Sequence, residues 1–430
     1  MPPRPLPSAK PRAKSPFWPV LATLLAALPL LTTAPAAAQA PECPQVEAPP
    51  PPVDTSEVPA PGQPAPAPVP VPETPVGGEK MAGCALQTDP NQPGPPPDVA
   101  NSAAGWVLAD LDSGEVLAAK DPHGRQRPAS TIKVLTALTA LHELKLDDTL
   151  VATQEDANQE GTRIGLQPGM TYTVGQVFQA MLMGSGNDAA HALAMKMGGV
   201  DVALRKMNAL AAEIGALDTR AATPSGLDGA GMSTSAYDLA TIFRVAMREP
   251  AFAQAIATPM MVLPGAPGQP PYELWSDNQV LRNYPGGLGG KTGFTDDARH
   301  TFIGSAERDG RRLVAVMMRG ENHPVRLSHQ AMALLDYGFS LPKGAVVGEL
   351  VTTSPRAPEQ VAPAARADLP PPGTNGAGVH DSSFFGTITG PLLLLAAALV
   401  AVAAAVLLRR RRAQLAQARR QASAESAEHP

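Results

Sequence analysis

Apolar residues recur at two periods along the middle of the chain, and the ends follow neither. Gly105-Trp106-Val107-Leu108 and Val116-Leu117-Ala118 flank Asp112-Ser113-Gly114, which predicts a β-hairpin with its turn. The device returns where Thr301–Ala306 and Arg312–Met318 flank Arg308-Asp309-Gly310. Between these hairpins the spacing becomes helical, predicting helices over Thr131–Leu144, Val174–Met183, Asp188–Met197, Val202–Ile214 and Ala236–Met247, with a last one over about Leu327–Gly338. Ser235, with Asp238 three residues on, gives the fifth of these a capping-box-like start. Strands at both ends with helices between predict an α/β (α+β) domain: an antiparallel sheet assembled from the two ends, beside a mainly helical lobe.

The flanks read differently. Arg4, Lys10, Arg12 and Lys14 precede an apolar run from Val20 to Leu31 and small residues ending Ala38-Gln39-Ala40, the order of a secretory signal over residues 1–40. A second apolar run, Ile388 to Leu408, is followed at once by Arg409-Arg410-Arg411-Arg412, which predicts a spanning helix over 387–408 and a basic cytoplasmic tail over 409–430. The catalytic-size body, 98–341, is therefore expected outside the cell membrane in a single-pass arrangement. From Ala48 to Val76, and again from Pro355 to Pro372, prolines alternate with small residues. These stretches predict polyproline-like spacers, an N-terminal segment over 41–97 and a stalk over 342–386, the latter giving a reach of several tens of ångströms at roughly 3 Å per residue.

Composition narrows the class. The 49 prolines in 430 residues leave only part of the length for a packed core. A net charge of −5 with no dense basic face gives no footprint for nucleic acid. Cys43 and Cys84 both follow the expected cleavage point, so in an oxidising compartment they are expected to pair. The eight histidines are scattered, which gives a metal site little support, and no cofactor is expected.

Three motifs carry chemistry. Ser130-Thr131-Ile132-Lys133 lies where Pro128-Ala129 ends a loop and a helix begins, so the lysine falls one turn beyond the serine on the same face. A neutral lysine amine there can take the serine proton, provided that burial or a second cation depresses its pKa. Ser340-Leu341-Pro342-Lys343 has the same spacing but opens no helix. Lys291-Thr292-Gly293, after the glycine-rich Gly286–Gly290 and before Phe294, predicts an edge strand that a substrate backbone can approach, with a cation and a hydroxyl for a carboxylate. Ser185-Gly186-Asn187 joins two helices and offers a hydroxyl and an amide; Ser276-Asp277-Asn278 is its rival, and Ser185 is favoured because the rival falls on the sheet side.

The order Ser130/Lys133, Ser185/Asn187, Lys291/Thr292/Gly293 resembles the active-site serine penicillin-binding proteins and serine β-lactamases. The neighbours Ser185-Gly186-Asn187-Asp188-Ala189-Ala190, Gly226-Leu227-Asp228-Gly229, Ser233–Asp238 and Gly290–Thr295 resemble in particular the low-molecular-mass D-alanyl-D-alanine carboxypeptidases, over about Val99 to Leu341. The resemblance implies a β-lactamase/D,D-peptidase-like fold and hydrolysis of the terminal D-alanine from peptidoglycan stem peptides ending in D-Ala-D-Ala, with β-lactams as covalent inhibitors. It implies Ser130 as nucleophile, Lys133 as base, Ser185 and Asn187 relaying the proton and holding the peptide, Lys291 and Thr292 at the terminal carboxylate, Gly293 and Phe294 as further substrate-binding residues, and the N–H groups of Ser130 and Phe294 as oxyanion hole. Alternatives are a β-lactamase or D,D-endopeptidase on the same fold, or an inactive wall-binding protein. Glu213 is followed by Ile214-Gly215-Ala216-Leu217-Asp218 rather than the Glu-x-x-Leu-Asn element of class A β-lactamases, which disfavours turnover of β-lactams. Arg299 and Arg319 are read as surface charge.

Overall fold

The computed structural model describes residues 43–59, 61–92 and 102–352. The expected signal, spanning helix and basic tail lie outside the described residues, as does the stalk beyond 352.

A seven-stranded antiparallel sheet organises the body. Its strands are β1 (Leu86–Thr88), β2 (Gly105–Asp110), β3 (Glu115–Lys120), β8 (Gly287–Thr295), β9 (Arg299–Arg308), β10 (Arg311–Gly320) and β11 (Gly348–Glu349), in the order β1-β3-β2-β10-β9-β8, with β11 also paired to β3. Short hairpins are made by β4 (Thr149–Val151) with β5 (Thr171–Thr173), and β6 (Met260–Leu263) with β7 (Tyr272–Trp275). Both predicted hairpins form, and β2 from one pairs with β10 from the other, so the two ends of the body close one sheet. The sheet passes both expected limits of the body, since β1 precedes residue 98 and β11 follows residue 341.

Side chains alternate across the sheet, and both faces are covered. Val107, Ala109, Val116, Ile303, Val314 and Val316 point into the core shared with the helical lobe. Trp106, Leu108, Leu117, Phe302, Leu313 and Met317 point the other way, against Leu327, Ala331, Leu334 and Leu335 of the last helix, Leu327–Ser340. Burial on both faces explains why β2 reads as a continuous apolar run rather than an alternating one.

The lobe contains α1 (Lys133–Glu143), α2 (Gln154–Ala157), α3 (Val174–Gly184), α4 (Asn187–Lys196), α5 (Val200–Glu213), α6 (Ala236–Ala246) and α7 (Pro250–Ile256); α8 (Gln279–Asn283) and α9 (Leu327–Ser340) lie with the sheet. Helix α1 is buried from Lys133 through Ala140, as its run of Val, Leu, Ala and Thr allows. The α6 cap is half of the predicted box: Ser235 Oγ accepts from the Asp238 N–H at 3.1 Å, while the Asp238 carboxylate accepts from the Asp218 N–H and Thr219 Oγ1, both at 2.7 Å. A full box opens α3, between Thr173 and Gln176.

The proline-rich segment departs from its reading as a free spacer. Polyproline backbone makes no internal hydrogen bonds, so its carbonyls need outside donors. Arginines on the body supply them. Arg125 donates to the carbonyls of Glu47 (2.7 Å), Val69 and Pro70 (3.0 Å), Arg127 to that of Pro50 (2.7 Å), and Arg220 to that of Ala67 (2.7 Å). Val76 and Met81 enter the main core, and Cys43 and Cys84 form a disulfide with their Cα atoms 5.5 Å apart. Residues 43–59 and 61–88 thus form a strap laid along the body.

Candidate active site

The loop that carries Ser130 is over-determined. Ala129 is held at φ 47°, and Ser130 lies in a 3-10 turn, Ala129–Ile132, that runs directly into α1. The expected placement of Ser130 at the start of an α-helix becomes one tighter turn before it. Thr131 Oγ1 and Thr301 Oγ1 both donate to the Pro128 carbonyl, at 2.6 and 2.8 Å, tying the loop to β9. Gly226, at φ 88°, passes so close that a Cβ would lie 1.9 Å from the Ala129 carbonyl oxygen.

Lys133 is fully buried, and its Nζ has three neighbours: Ser130 Oγ at 2.8 Å, Asn187 Oδ1 at 2.7 Å and the Ser225 carbonyl at 2.5 Å. Two of these can only accept, provided that Asn187 is oriented by its own donation to the Glu160 carbonyl at 2.6 Å. A neutral amine has two N–H groups and one lone pair, so the two carbonyl oxygens can take both hydrogens and leave the lone pair for the Ser130 hydroxyl, whose Oγ also lies 3.5 Å from the Ser225 carbonyl oxygen. Burial, and then the charge of Lys291, hold the Lys133 pKa well below the usual lysine range.

Ser185 closes α3 in the left-handed conformation, φ 60°, which turns its hydroxyl towards the sheet. Its Oγ accepts from Lys291 Nζ at 2.9 Å, and that amine also donates to the Thr292 carbonyl at 3.0 Å. Burial lowers the Lys291 pKa, opposed by Asp277, whose carboxylate is 4.0 Å from Nζ. Lys291 therefore bridges the two lobes and is itself fully buried, whereas the sequence reading set it directly against a substrate carboxylate. Thr292 Oγ1 donates to Asp277 Oδ2 at 2.6 Å. Gly293 is required by closeness: a Cβ would come within 2.8 Å of the Ser130 nitrogen. Phe294 follows on the same edge strand, 49% exposed, with its ring centroid 4.6 Å from that of His300.

The structure thus brings the predicted residues Ser130, Lys133, Ser185, Asn187, Lys291, Thr292, Gly293 and Phe294 to one site where lobe meets sheet. The rival Ser276-Asp277-Asn278 enters it through Asp277 alone, because Asn278 caps α8 by accepting from the N–H groups of Val280 and Leu281. The decoy Ser340 turns its hydroxyl onto the Tyr337 carbonyl at 2.7 Å. Arg299 pairs with Glu321 at 2.9 Å and Arg319 donates to the Asp297 carbonyl at 2.8 Å, so both serve the surface.

Three contributors escaped the sequence reading. The Ser225 carbonyl is a backbone group and leaves no trace in side-chain chemistry. Asp188, fully buried, accepts from the N–H groups of Ile164, Gly165 and Leu166 at 2.8 to 3.1 Å, fixing the loop whose Glu160 carbonyl orients Asn187. Exposed Arg326, at the start of α9, lines a recess of about 180 Å³ with Asp277, Thr292, Gly293, His300 and Asn322. Its position before a helix was its only sequence signal.

Comparison with known proteins places this geometry. The model of the D-alanyl-D-alanine carboxypeptidase family matches residues 89–322. The D-alanyl-D-alanine carboxypeptidase DacB2 of Mycobacterium tuberculosis is 49% identical over 250 residues, 57% of this chain and 85% of its own length. DacF of Bacillus subtilis, described by the same activity, is 30% identical over 249 residues, 56% of this chain and 64% of its own. A crystal structure of a D-alanyl-D-alanine carboxypeptidase from Mycobacterium tuberculosis superposes with a TM-score of 0.59 at 46% identity, over 61% of this chain and all of that one.

Proposed function

The chain belongs to the D-alanyl-D-alanine carboxypeptidase family, and from that premise we propose that it is acylated at Ser130 while it removes the terminal D-alanine from peptidoglycan stem peptides ending in D-Ala-D-Ala. The observation that carries the mechanism is the surrounding of Lys133 Nζ, two acceptor-only oxygens and one hydroxyl. The free lone pair takes the Ser130 proton as Oγ attacks the carbonyl carbon between the two D-alanines. Oxygen charge develops against the N–H groups of Ser130 and Phe294. The peptide C–N bond then breaks and the departing amine takes the proton held by Lys133, with the Ser185 hydroxyl, oriented by Lys291, as the relay once substrate lies between them. Water attacks the ester, returns the proton to Ser130 and releases the shortened stem.

The substrate lies as an added strand on the free edge of β8, its terminal carboxylate at Thr292. Exposed Arg326 faces the same recess and supplies the mobile cation that buried Lys291 does not. On this reading the body works outside the cell membrane, held by the apolar run 387–408 whose arginine stop supports that topology.

Intact mass after brief exposure to penicillin tests the reading together with an assay of D-alanine release. A lasting adduct on the full chain, absent in Ser130→Ala, with D-alanine released from a pentapeptide, is the expected result. Rapid return to the free mass while penicillin is consumed would make it a β-lactamase, and neither adduct nor release would leave a wall-binding protein.

A further inference from the structure

The strap lies before the span that the family model matches, 89–322, yet it ends up beside the nucleophile. The Val53 N–H and Ser56 Oγ donate to the two carboxylate oxygens of Asp297, the Ser56 bond being 3.4 Å long, and Asp297 sits two residues beyond the end of β8. Glu57 pairs with the guanidinium of Arg127, three residues before Ser130, and Arg127 also donates to the Pro50 carbonyl at 2.7 Å. Residues 50–57 therefore join the nucleophile loop to the β8–β9 turn.

The direction of the substrate gives this bridge a role, on the carboxypeptidase reading just proposed. With the carboxylate at Thr292 and the scissile carbonyl at the Phe294 N–H, the acyl chain continues antiparallel along β8 towards Thr295 and Asp297. At about 3.4 Å per residue, the stem residue that precedes D-Ala-D-Ala arrives where Val53–Glu57 cross the end of the groove. We propose that strap residues 50–57 form the wall of this acyl-side subsite, so that the enzyme selects among stem peptides by the residue before D-Ala-D-Ala. The wall acts by shape. Glu57 and Asp297 are already engaged by Arg127, Val53 and Ser56, while Val53 is 65% exposed at the crossing. Pro50, Pro51 and Pro52 before it limit how far it can yield.

Single thiols at the wall test this in the full chain, whose two native cysteines are paired. Val53→Cys and, separately, Ser56→Cys are labelled with a small and with a bulky maleimide. The bulky label is expected to lower kcat/KM about tenfold or more for an acetylated Lys-D-Ala-D-Ala tripeptide and for the pentapeptide, and to leave an acetyl-capped D-Ala-D-Ala and penicillin acylation within about twofold. Saturating tripeptide is expected to slow labelling. Equal losses on every substrate would overturn the proposal by placing the strap's effect on the nucleophile loop, and no loss on any would place the strap outside the groove. Failure of the unlabelled chain to release D-alanine would instead bring down the carboxypeptidase reading, and this subsite with it.

Discussion

Two regions of this molecule bury cations, and they do so in opposite ways. In the cleft, Lys133 and Lys291 are fully buried, no carboxylate touches Lys133, and the nearest to Lys291 stands 4.0 Å off; both pKa values are lowered, by burial first. Along the strap seam, Arg125 and His123 meet the Asp218 carboxylate, at 3.3 and 2.7 Å, and Arg127 meets Glu57. A buried cation with no counter-ion in contact has its pKa lowered; one that is paired keeps its charge and acts as a fastener. Chemistry comes from the first arrangement and attachment from the second.

Taking the amine from the cleft should have the largest effect. Lys133→Ala is expected to slow acylation of Ser130 by about 10²–10⁴-fold, the range of a lost general base, with the fold retained. Lys133→Arg should not rescue it, because a guanidinium does not lose its proton at working pH. Stopped-flow acylation by penicillin measures both; a fast Lys133→Arg would show that a charged group at this position suffices.

Breaking the seam should cost stability on a comparable scale. Asp218→Asn leaves Arg125 and His123 facing a neutral amide in a buried site, for which about 3–5 kcal/mol is expected. Denaturant titration of the full chain reads the loss. A change under about 1 kcal/mol would mean that the strap carbonyls alone satisfy Arg125.

The pH dependence sharpens the contrast from the cleft side. With its pKa well below the usual lysine range, Lys133 is the base only when neutral, so acylation should fall about tenfold per pH unit below that pKa and be level above it. Because the Lys291 charge contributes to the depression, Lys291→Met should move the midpoint upwards, whatever it does to substrate affinity. An unmoved midpoint would assign the depression to burial alone.

How much of this was legible in the sequence follows the same division. Ser130, Lys133 and Asn187 could be read because their side-chain types and spacings are the chemistry, and the hairpins around Asp112-Ser113-Gly114 and Arg308-Asp309-Gly310 could be read because turn residues and apolar alternation coincide. The strap could not. Its docking depends on proline-segment carbonyls, which are the same in every sequence, meeting Arg125, Arg127 and Arg220, which look like surface arginines until their partners are in place. The Ser225 carbonyl was hidden for the same reason. Lys291 was visible, but its spacing shows that a cation is present without showing that Ser185 would be its partner or that it would be buried.

The smallest expected effect discriminates most finely within the seam. His123 places Nδ1 2.7 Å from Asp218 Oδ2 and Nε2 3.0 Å from the Val76 carbonyl, so both nitrogens face acceptors and both must carry hydrogens. Burial pulls its pKa down, but the hydrogen bond and charge of Asp218 outweigh this, and the net shift is upwards. A raised folded pKa means that the contribution to stability is complete below the unfolded value of about 6.5 and is lost as pH rises through the folded one. The other groups facing His123 sort themselves by window. Asp121, pushed up to about 6 by burial, loses its share at lower pH, between the ordinary carboxylate range and 6. Asp238 is raised by burial and by Asp218 and acts in the same sense as His123, and the Tyr237 ring centroid lies 4.5 Å from that of the imidazole. Protection of the amides over 71–82, corrected for the intrinsic base catalysis of exchange, should therefore fall as pH rises past 6.5, and His123→Gln should flatten that fall without abolishing it, since Asp238 remains. Corrected protection in the native chain that stays level up to pH 9 would show that the disulfide and the buried Met81 hold this stretch without the imidazolium.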